Sequence, residues 1–517
     1  MAATAEVLGP EPAVLVRARR ARTEPLLLAA TLGVSLLLAV VMPVFAQESY
    51  YWCYSEHPAL SYYDHPPMVA WLIRLGTWVF GDGALGIRLF SWLCGSAGTL
   101  AGLLLLRAFA APRSSRVAWL VLTLIVPSLV SVRFLTNPDP ALCGFWLLAM
   151  LALWRARDGA TGWWLLAGLF TGGALLSKYT ACFLLLGGGL VTLGDGRLRR
   201  QLTRPGPYLA VLVALLVFLP VILWNFGNDF ESFRFQTTNR WAHARLGTHW
   251  FGQLLAGQAA VLNPVVIVAL VIATAWLVGG ARRRDMRAFW LLAFGLPMLV
   301  FLIGNALFVQ VKINWLIPAM QPLLLGTALW WGSSGFRLDH PVATRRGLRA
   351  ALAFGGLLAL GPAIVLVPQD RGSTWSGWDE IASRAEQWEE SIDTVDGTEG
   401  NVFFFAGDYR DAAQLSRSLE LGLASAPPGE VREPTLAQNV VGRAALQFDH
   451  WEDPAGRIGQ SAIFVLPRPR QRASLLDEVR QHFDSVERVD HVDVRRWGIE
   501  VLDADIFVCR GYKGPHV

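Results

Sequence analysis

The chain has few of the residues on which soluble catalytic and metal sites commonly depend. Only 16% of its 517 residues are charged, and five are cysteine. Cys94, Cys143 and Cys182 lie inside apolar runs, and no pair has the spacing of a zinc site. Cys53 and Cys509 alone lie outside such runs, and the sequence gives little support to a disulfide between them. No glycine-rich nucleotide-binding motif is present, and no nucleic-acid partner is expected.

Lysine is the scarcest basic residue. The chain has 42 arginines and only three lysines, of which Lys178 and Lys312 lie at the ends of apolar runs. A lysine ammonium is a compact point charge that suits a phosphate. It also suits a position where the side chain only extends toward the membrane surface. Lys178 and Lys312 are therefore candidates either to bind a phosphate or to extend toward the membrane surface.

Apolar residues dominate instead. They make up 53% of the chain, which contains 22 tryptophans, and this composition is typical of a polytopic membrane protein. The run 26–46 predicts an uncleaved anchor rather than a signal peptide, because its apolar core is long. Further spans are predicted at 85–110, 117–135, 138–156, 162–177, 179–195, 206–226, 250–278, 287–309, 313–333 and 347–367, which gives about eleven transmembrane helices.

Charge divides the chain into two domains. Residues 1–367 contain 29 Lys and Arg against 14 Asp and Glu, whereas residues 368–517 contain 16 against 26. Arginine clusters fall at alternate span ends, so the N-terminus is predicted to be cytoplasmic. An odd number of spans then places the acidic tail outside, as a periplasmic domain. This topology predicts a multi-pass protein of the bacterial inner membrane whose polar loops face outward.

The tail, residues 368–517, is predicted to be a soluble α/β domain. Its pattern indicates helices at 378–388, 411–421 and 474–482, and strands at 402–405, 461–466 and 506–509. About 150 residues suffice for a separate core.

The loop after the first span combines acids with aromatic residues. Glu48, Asp64 and His65 lie among five tyrosines between residues 50 and 63, and Met68 to Val79 has the spacing of an interfacial helix. Glu48 is a candidate general base or a helix-start acid. Asp64 and His65 are candidate helix caps or weak metal-ligand candidates.

Other candidates lie at predicted external ends. Asp139 is either a helix cap or a second acid facing the Glu48 loop. Arg234 and Arg240 belong to a basic loop, 227–249, that departs from the positive-inside trend and favours an anionic ligand there. Anionic lipid headgroups are the alternative partner of that loop.

Several of these segments together resemble the GT-C class of polyprenyl-phosphate-sugar-dependent glycosyltransferases, in the group of the dolichyl-phosphate-mannose–protein mannosyltransferases and the aminoarabinose transferase of lipid A. The resemblance is carried by ESYYW at 48–52, YYDHPPMVAWLIRLG at 62–76, TNPDPAL at 136–142, LLSKYTA at 175–181, PVILWNF at 220–226, SFRFQ at 232–236 and KINWLIPA at 312–319. The tail resembles the soluble domain of that group more weakly.

This resemblance implies a GT-C-like membrane domain that transfers a sugar, with inversion, from a polyprenyl phosphate to a glycolipid, lipid A, polysaccharide or protein. Glu48, Asp139 and Asp64 would serve as catalytic acids. Lys178, Arg234, Arg240 and Lys312 would bind the donor phosphate. The sugar and acceptor would contact Gln47, Tyr51, His65, Gln236, Asn314 and Trp315. No cofactor is certain, and a divalent metal at Asp64 and His65 is left open.

One departure from the family pattern concerns the base. Family members usually have Asp-Glu where this chain has Gln47-Glu48. A glutamine can orient an acceptor but cannot accept a proton at neutral pH. Three interpretations follow: Glu48 is the base, Asp64 or Asp139 replaces it, or activity is altered. An active glycosyltransferase is expected, and the alternative is a binder or transporter of lipid-linked glycans that keeps the fold.

Overall fold

A computed structural model of the chain describes residues 13–242, 244–359, 375–396, 402–423 and 434–516. It consists of a helical bundle followed by a mixed sheet with its own helices. The helices, in chain order from α1 to α22, are Ala13–Val41, Ala46–Glu56, Met68–Phe80, Ala84–Ala108, Arg113–Ile125, Pro127–Ser131, Pro138–Ala156, Thr161–Ser177, Cys182–Gly194, Gly196–Gln201, Gly206–Gly227, Glu231–Arg234, His249–Leu262, Pro264–Arg282, Met286–Asn305, Ile317–Ser333, Phe336–Asp339, Pro341–Ala359, Trp378–Asp396, Tyr409–Leu423, Phe448–Trp451 and Ala473–Gln481.

The helical bundle is that of a multi-pass membrane protein. Six helical segments among the described residues are long and apolar enough to cross a membrane: Arg22–Val41, Ala84–Ala108, Pro138–Ala156, Gly206–Gly227, Pro264–Arg282 and Met286–Asn305. Other predicted spans coincide with shorter helices such as α8, α9 and α16. The count of eleven spans therefore stays a prediction. The last predicted span and the predicted domain boundary at 367/368 extend beyond the described residues.

Two predicted spans are each broken into two helices, so their continuity was wrong. Pro127, which has no backbone N–H to donate, divides 117–135 into α5 and α6. Asn263 divides 250–278 into α13 and α14 with a backbone φ of 69°. Its side chain accepts from Val265 N at 3.2 Å and donates to Ala351 O at 2.9 Å. At Asn263 the side chain replaces part of the interrupted helical bonding, whereas Pro127 interrupts it by lacking an N–H.

The C-terminal part contains a five-stranded sheet with the order β2-β1-β3-β5-β4. The strands are Val402–Ala406, Thr435–Leu436, Ser461–Pro467, Phe483–Arg496 and Ile499–Tyr512. Strand β1 pairs in parallel with β2 and β3, whereas β5 pairs antiparallel with β3 and β4. The sequence analysis missed β2 and β4 and predicted β5 too short. Trp497 and Gly498, both with positive φ, form the two-residue turn between β4 and β5.

The sheet domain is fastened to the loop between α1 and α4. Helix α20 packs against α2, where Ser49 Oγ donates to Gln414 Oε1 at 2.7 Å. The backbone N–H of Tyr63 donates to Gln447 Oε1 at 2.7 Å. Arg417 donates to Asp82 O at 2.8 Å. Cys53 and Cys509 are both buried and neither is part of a disulfide, so no disulfide between them contributes to this attachment.

Helices α4 and α7 approach closely because glycines face each other. A Cβ placed on Gly144 would lie 2.3 Å from the backbone oxygen of Cys94, and one on Gly98 would lie 3.0 Å from Gly144 Cα. Small residues allow such backbone contact inside a membrane, where packing rather than water drives association. This contact fixes α7, whose first turn carries Asp139.

We therefore expect Gly144→Ala to separate α4 from α7 and to destabilise the folded protein by about 1–3 kcal/mol. The matched control is Gly189→Ala in α9, where an added Cβ meets nothing within 4 Å. That control should leave the unfolding temperature unchanged or slightly raise it, since alanine favours helix. Thermal unfolding of the purified proteins in detergent measures both; equal temperatures for the two variants would contradict the packing argument.

Candidate active site

A cavity of about 460 Å³ opens where the loop after α1 meets the first turn of α7 and the end of α8. Eight of the predicted site residues line it: Gln47, Tyr51, His65, Asp139, Lys178, Lys312, Asn314 and Trp315. Segments far apart in sequence supply these side chains. The sequence analysis therefore selected residues that the fold brings to one cavity.

An ion pair lies in the wall of this cavity. Lys178 Nζ contacts Asp139 Oδ1 at 2.7 Å, and Asn314 Nδ2 donates to Asp139 Oδ2 at 2.5 Å. Asp139 is only 1% exposed and Lys178 only 7%. Asn137 caps α7 by accepting from the backbone N–H of Asp139 at 2.8 Å, which leaves the Asp139 carboxylate free to face the cavity. Asn137 rather than Asp139 is thus the cap of α7, and the role of Asp139 as a second acid stays a prediction.

Further cations surround this ion pair. The Arg240 guanidinium lies 4.6 Å from the Trp315 ring and 5.1 Å from the Phe235 ring. Desolvation by burial is the largest cause that lowers the pKa of Lys312. The positive charges of Arg240, Arg410 and Lys178 lower it further. Burial and the nearby lysine and arginine charges likewise hold the pKa of His65 well below its usual value. The cavity is therefore electropositive and suited to an anion.

Asp64 lies beside the cavity, inside a cluster of tyrosines. Its carboxylate accepts from Tyr50 Oη at 3.1 Å and also from Tyr54 Oη. Burial raises the pKa of Asp64. Gln236 donates to the backbone oxygen of Asp64 at 2.7 Å and so ties the basic loop to this segment. Asp64 and Gln236 hold the wall of the cavity rather than line it.

Glu48 does not have the position that was predicted for it as a general base. Glu48 is absent from the cavity lining, and its oxygens accept from Arg88 Nε at 2.8 Å and Nη2 at 2.5 Å. The backbone N–H groups of Phe45 and Thr136 also donate to it, at 3.0 and 2.7 Å. These four donors occupy both oxygens of the buried carboxylate. We therefore correct its assignment from catalytic to structural.

Arg234 and the weak metal candidates also require correction. The Arg234 side chain is exposed and does not line the cavity, whereas Arg240 of the same loop packs on Trp315, which does line it. His65 Nε2 lies 3.8 Å from Asp64 Oδ2. No group of three or more potential metal ligands occurs among the described residues. Because Lys178, Arg240 and Lys312 surround His65, this pair does not fit a divalent cation.

Sequence reasoning missed a contribution from the C-terminal domain. Tyr409 and Arg410 begin α20, directly after buried strand β1. Arg410 Nε donates to Tyr409 Oη at 3.0 Å, and Tyr409 Oη donates to Gln47 Oε1 at 3.4 Å. A buried strand followed by Asp408 and then by a helix that begins with Tyr409-Arg410 was the available signal. Nothing in the sequence placed that turn against the membrane domain.

Known proteins share this architecture. Residues 64–224 match the family model described as dolichyl-phosphate-mannose-protein mannosyltransferase. The solved structure of ArnT from Cupriavidus metallidurans in the apo state superposes with a TM-score of 0.60 at 16% identity, covering 93% of this chain and 97% of that chain. The predicted GT-C fold is confirmed.

Two curated relatives have a similar sequence. The lipid A galacturonosyltransferase RgtD of Rhizobium johnstonii is 28% identical over 322 residues, covering 61% of this chain and 64% of that protein. The undecaprenyl phosphate-alpha-4-amino-4-deoxy-L-arabinose arabinosyl transferase of Pseudomonas aeruginosa is 30% identical over 332 residues, covering 61% of this chain and 56% of that protein. The matched regions span less than two thirds of these relatives. Together with the fold, they relate the GT-C chain to the aminoarabinose transferase-like group.

The Glu48–Arg88 ion pair generates a stability prediction. Glu48→Gln should leave the Arg88 charge buried and unpaired, which costs about 3–5 kcal/mol. The matched control is Glu56→Gln on the same helix, α2. Glu56 pairs with Arg74, whose side chain is 58% exposed, so that change should cost only about 0–1 kcal/mol. Thermal unfolding in detergent compares the two, and an unfolding temperature lowered only by the control substitution would refute the structural assignment.

Proposed function

We propose that this chain is a membrane glycosyltransferase. It moves a sugar from a polyprenyl-phosphate donor to a hydroxyl or amine of a glycolipid, polysaccharide or protein, with inversion at the sugar. The observation that carries this proposal is the Asp139 carboxylate, held by Lys178 and Asn314 in a cavity with further cations. A base and an anion-binding group thus lie within one hydrogen bond of each other. The name of the Pseudomonas aeruginosa relative, which includes undecaprenyl phosphate, supports the donor class.

The cations would bind the donor phosphate and stabilise its leaving. When the bond between the anomeric carbon and the phosphate oxygen breaks, the phosphate keeps the electron pair and gains negative charge. Lys178 and Lys312 line the cavity and Arg240 packs on its Trp315 wall, so these three would offset that charge in a partly desolvated space, where such stabilisation is strong. The polyprenyl tail would lie between membrane helices.

Asp139 is the proposed base. In the structure it is paired with Lys178, and a donor phosphate competes for the same ammonium group. Once Lys178 turns to the phosphate, Asp139 accepts the proton of the acceptor as its oxygen or nitrogen bonds to the anomeric carbon. Asn314 keeps the carboxylate oriented throughout. A single displacement of this kind inverts the anomeric configuration.

The remaining lining residues would position the substrates. Gln47, Tyr51 and His65 form one wall of the cavity, and Trp315 forms another. Amide and hydroxyl groups hydrogen-bond sugar hydroxyls, and an indole ring packs against the apolar face of a sugar. Asp64 would keep the tyrosine cluster ordered rather than react.

We infer that the cavity faces the periplasm, with the N-terminus in the cytoplasm and the sheet domain outside. Arg107, Arg113 and Arg116 gather around Glu24 at the opposite end of α1, α4 and α5 from the cavity. An excess of arginine marks the cytoplasmic side of inner-membrane proteins. We further propose that residues 1–367 form the transferase domain and residues 368–517 the periplasmic domain.

Asp139→Asn should lower transfer by about a hundredfold or more, since an amide cannot accept the proton. Lys178→Met should lower it by about tenfold to a hundredfold through lost charge stabilisation. Arg234→Gln, outside the cavity on the same face, is the matched control and should keep transfer within about twofold of the native rate. Transfer is measured from a radiolabelled polyprenyl-phosphate sugar pool in membrane vesicles.

Folding is checked by the unfolding temperature of each purified variant. Asp139→Glu keeps the charge but displaces it by one methylene, so it should fold and retain only a small part of the activity. Undiminished transfer by Asp139→Asn would exclude Asp139 as the base. Absence of transfer by the native protein with every lipid-phosphate sugar in the pool would favour the alternative of a glycan binder.

A further inference from the structure

A second pocket lies at the junction between the membrane bundle and the C-terminal domain. It has a volume of about 340 Å³, and its lining includes His57, Ser61, Trp224, Asn228, Gln447 and Trp451. These side chains come from the loop after α2, from the end of α11 and from α21 with the residue before it. The pocket shares no lining residue with the active-site cavity. It is therefore a separate concave surface.

The lining of this junction pocket is polar but carries no acid, lysine or arginine among the described residues. His450, which also lines it, has Nδ1 3.6 Å from Oε2 of Glu231, a residue outside the lining. The active-site cavity, by contrast, has Asp139, Lys178 and Lys312 in its wall. An ion that entered the junction pocket would lose water without gaining a counter-charge, which is unfavourable. The pocket therefore suits a ligand that is polar and uncharged.

Three side chains offer hydrogen-bonding groups to such a ligand. Gln447 is only 5% exposed, and its Oε1 accepts from the backbone N–H of Tyr63, whereas its amide nitrogen makes no hydrogen bond among the described residues. His57 Nδ1 donates to a backbone oxygen of α2 at 3.0 Å, which leaves Nε2 as an acceptor. Asn228 Nδ2 donates to the backbone oxygen of Trp224 at 2.8 Å, which leaves Oδ1 as an acceptor. A hydroxyl both donates and accepts, so a ligand rich in hydroxyls matches this set.

Trp224 adds an apolar surface to these polar groups. Its side chain is half-buried in the lining and packs on no other aromatic ring among the residues that the structure describes. The ring of Trp451 is instead stacked on that of His57 at 4.6 Å and so supports the wall. A pyranose has an apolar C–H face and a rim of hydroxyls. An indole packs on such a face, while amide and imidazole groups bind the rim.

The junction pocket lies close to the active-site cavity along the chain. Tyr63 donates its backbone N–H to Gln447, and its ring packs on that of His450 at 4.8 Å. Two residues later, His65 lines the active-site cavity. Even a fully extended chain would place Ser61 and His65 at most about 14 Å apart. A few linked sugar units span such a distance, so one glycan can occupy both spaces.

Building on the proposed function, we propose that the junction pocket is a subsite for the acceptor. It binds an uncharged pyranose unit of a glycan whose reacting group lies at Asp139. Trp224 packs on the apolar face of that unit, and His57, Asn228 and Gln447 bind its hydroxyls. A phosphorylated sugar is disfavoured in this pocket because no lysine or arginine lines it among the described residues. Since α21 supplies one wall, the C-terminal domain takes part in the choice of acceptor.

The first test measures sugar binding without a donor. Native protein in phosphatidylcholine nanodiscs is titrated with maltotriose, cellotriose, mannotriose and, as a charged comparison, trigalacturonic acid, and saturation-transfer NMR reports binding. We expect a neutral trisaccharide to bind more tightly than the acid. Trp224→Leu should weaken that binding by about fivefold to tenfold through the lost aromatic packing. His57→Phe keeps a ring against Trp451 but removes an acceptor, so it should weaken binding as well.

Two controls carry the same tryptophan-to-leucine change. Trp78→Leu alters a side chain that is 81% exposed outside both cavities, and Trp315→Leu alters the active-site cavity. Both should keep trisaccharide affinity within about twofold of the native value. A larger loss with Trp315→Leu than with Trp224→Leu would place the sugar in the active-site cavity and overturn the proposal. Binding of none of the neutral trisaccharides, or equal or tighter binding of trigalacturonic acid, would also overturn it.

The second test measures transfer from the polyprenyl-phosphate sugar pool to a glycan acceptor in membrane vesicles. Trp224→Leu should raise the KM for the acceptor about fivefold to tenfold and leave kcat within about twofold, because the subsite is remote from the reacting atoms. An unchanged KM would refute the acceptor role. Absence of transfer by native protein that binds a trisaccharide through Trp224 would instead overturn the proposed function and leave the sugar site standing. Unfolding temperatures verify that each variant is folded.

Discussion

The buried ion pair between Glu48 and Arg88 is the interaction on which the rest of the site depends. Arg88 is fully buried and also donates to the backbone oxygens of Ala39, Met42 and Pro43 at the end of α1. Glu48 in turn accepts from the backbone of Thr136, one residue before the cap of α7. Two charges thereby join α1, α2, α4 and the start of α7. Desolvation makes such a pair costly to break, so these four segments keep a fixed geometry.

The C-terminal domain belongs to the site rather than forming an appendage to the membrane bundle. Its helix α20 packs on α2, and its Gln447 bonds both Tyr63 and Tyr50 of the loop that walls the cavity. Tyr409 stacks edge-to-face on Tyr50 at 4.8 Å. Although the C-terminal domain is acidic overall, the part of it that lies next to the cavity wall is therefore basic and aromatic. Its attachment through buried hydrogen bonds also rigidifies the tyrosine cluster around Asp64.

The sequence predicted much of this arrangement because the signals were local or carried by recognisable motifs. Apolar runs predicted most helices, and motif spacing selected Asp139, Lys178 and Asn314. Two kinds of feature were beyond such reasoning. The break at Asn263 involves a tertiary partner, Ala351, and the break at Pro127 comes from the missing N–H of proline; hydrophobic periodicity reports neither, so it merged each pair of helices. The contacts that give Arg88 and Arg410 their relevance join elements that are far apart in the sequence. Neither hydrophobic periodicity nor motif spacing predicts contacts of that kind.

Helix geometry explains why Glu48 cannot replace an acid at position 47. Successive residues of α2 project about 100° apart, so neighbouring side chains face different surroundings. Gln47 faces the cavity, whereas Glu48 faces Arg88 and the end of α1. To reach the cavity, Glu48 would have to leave its four donors and abandon a buried guanidinium. On the proposed mechanism the proton acceptor therefore has to come from another element, and among the described residues that line the cavity the one carboxylate is that of Asp139, at the start of α7.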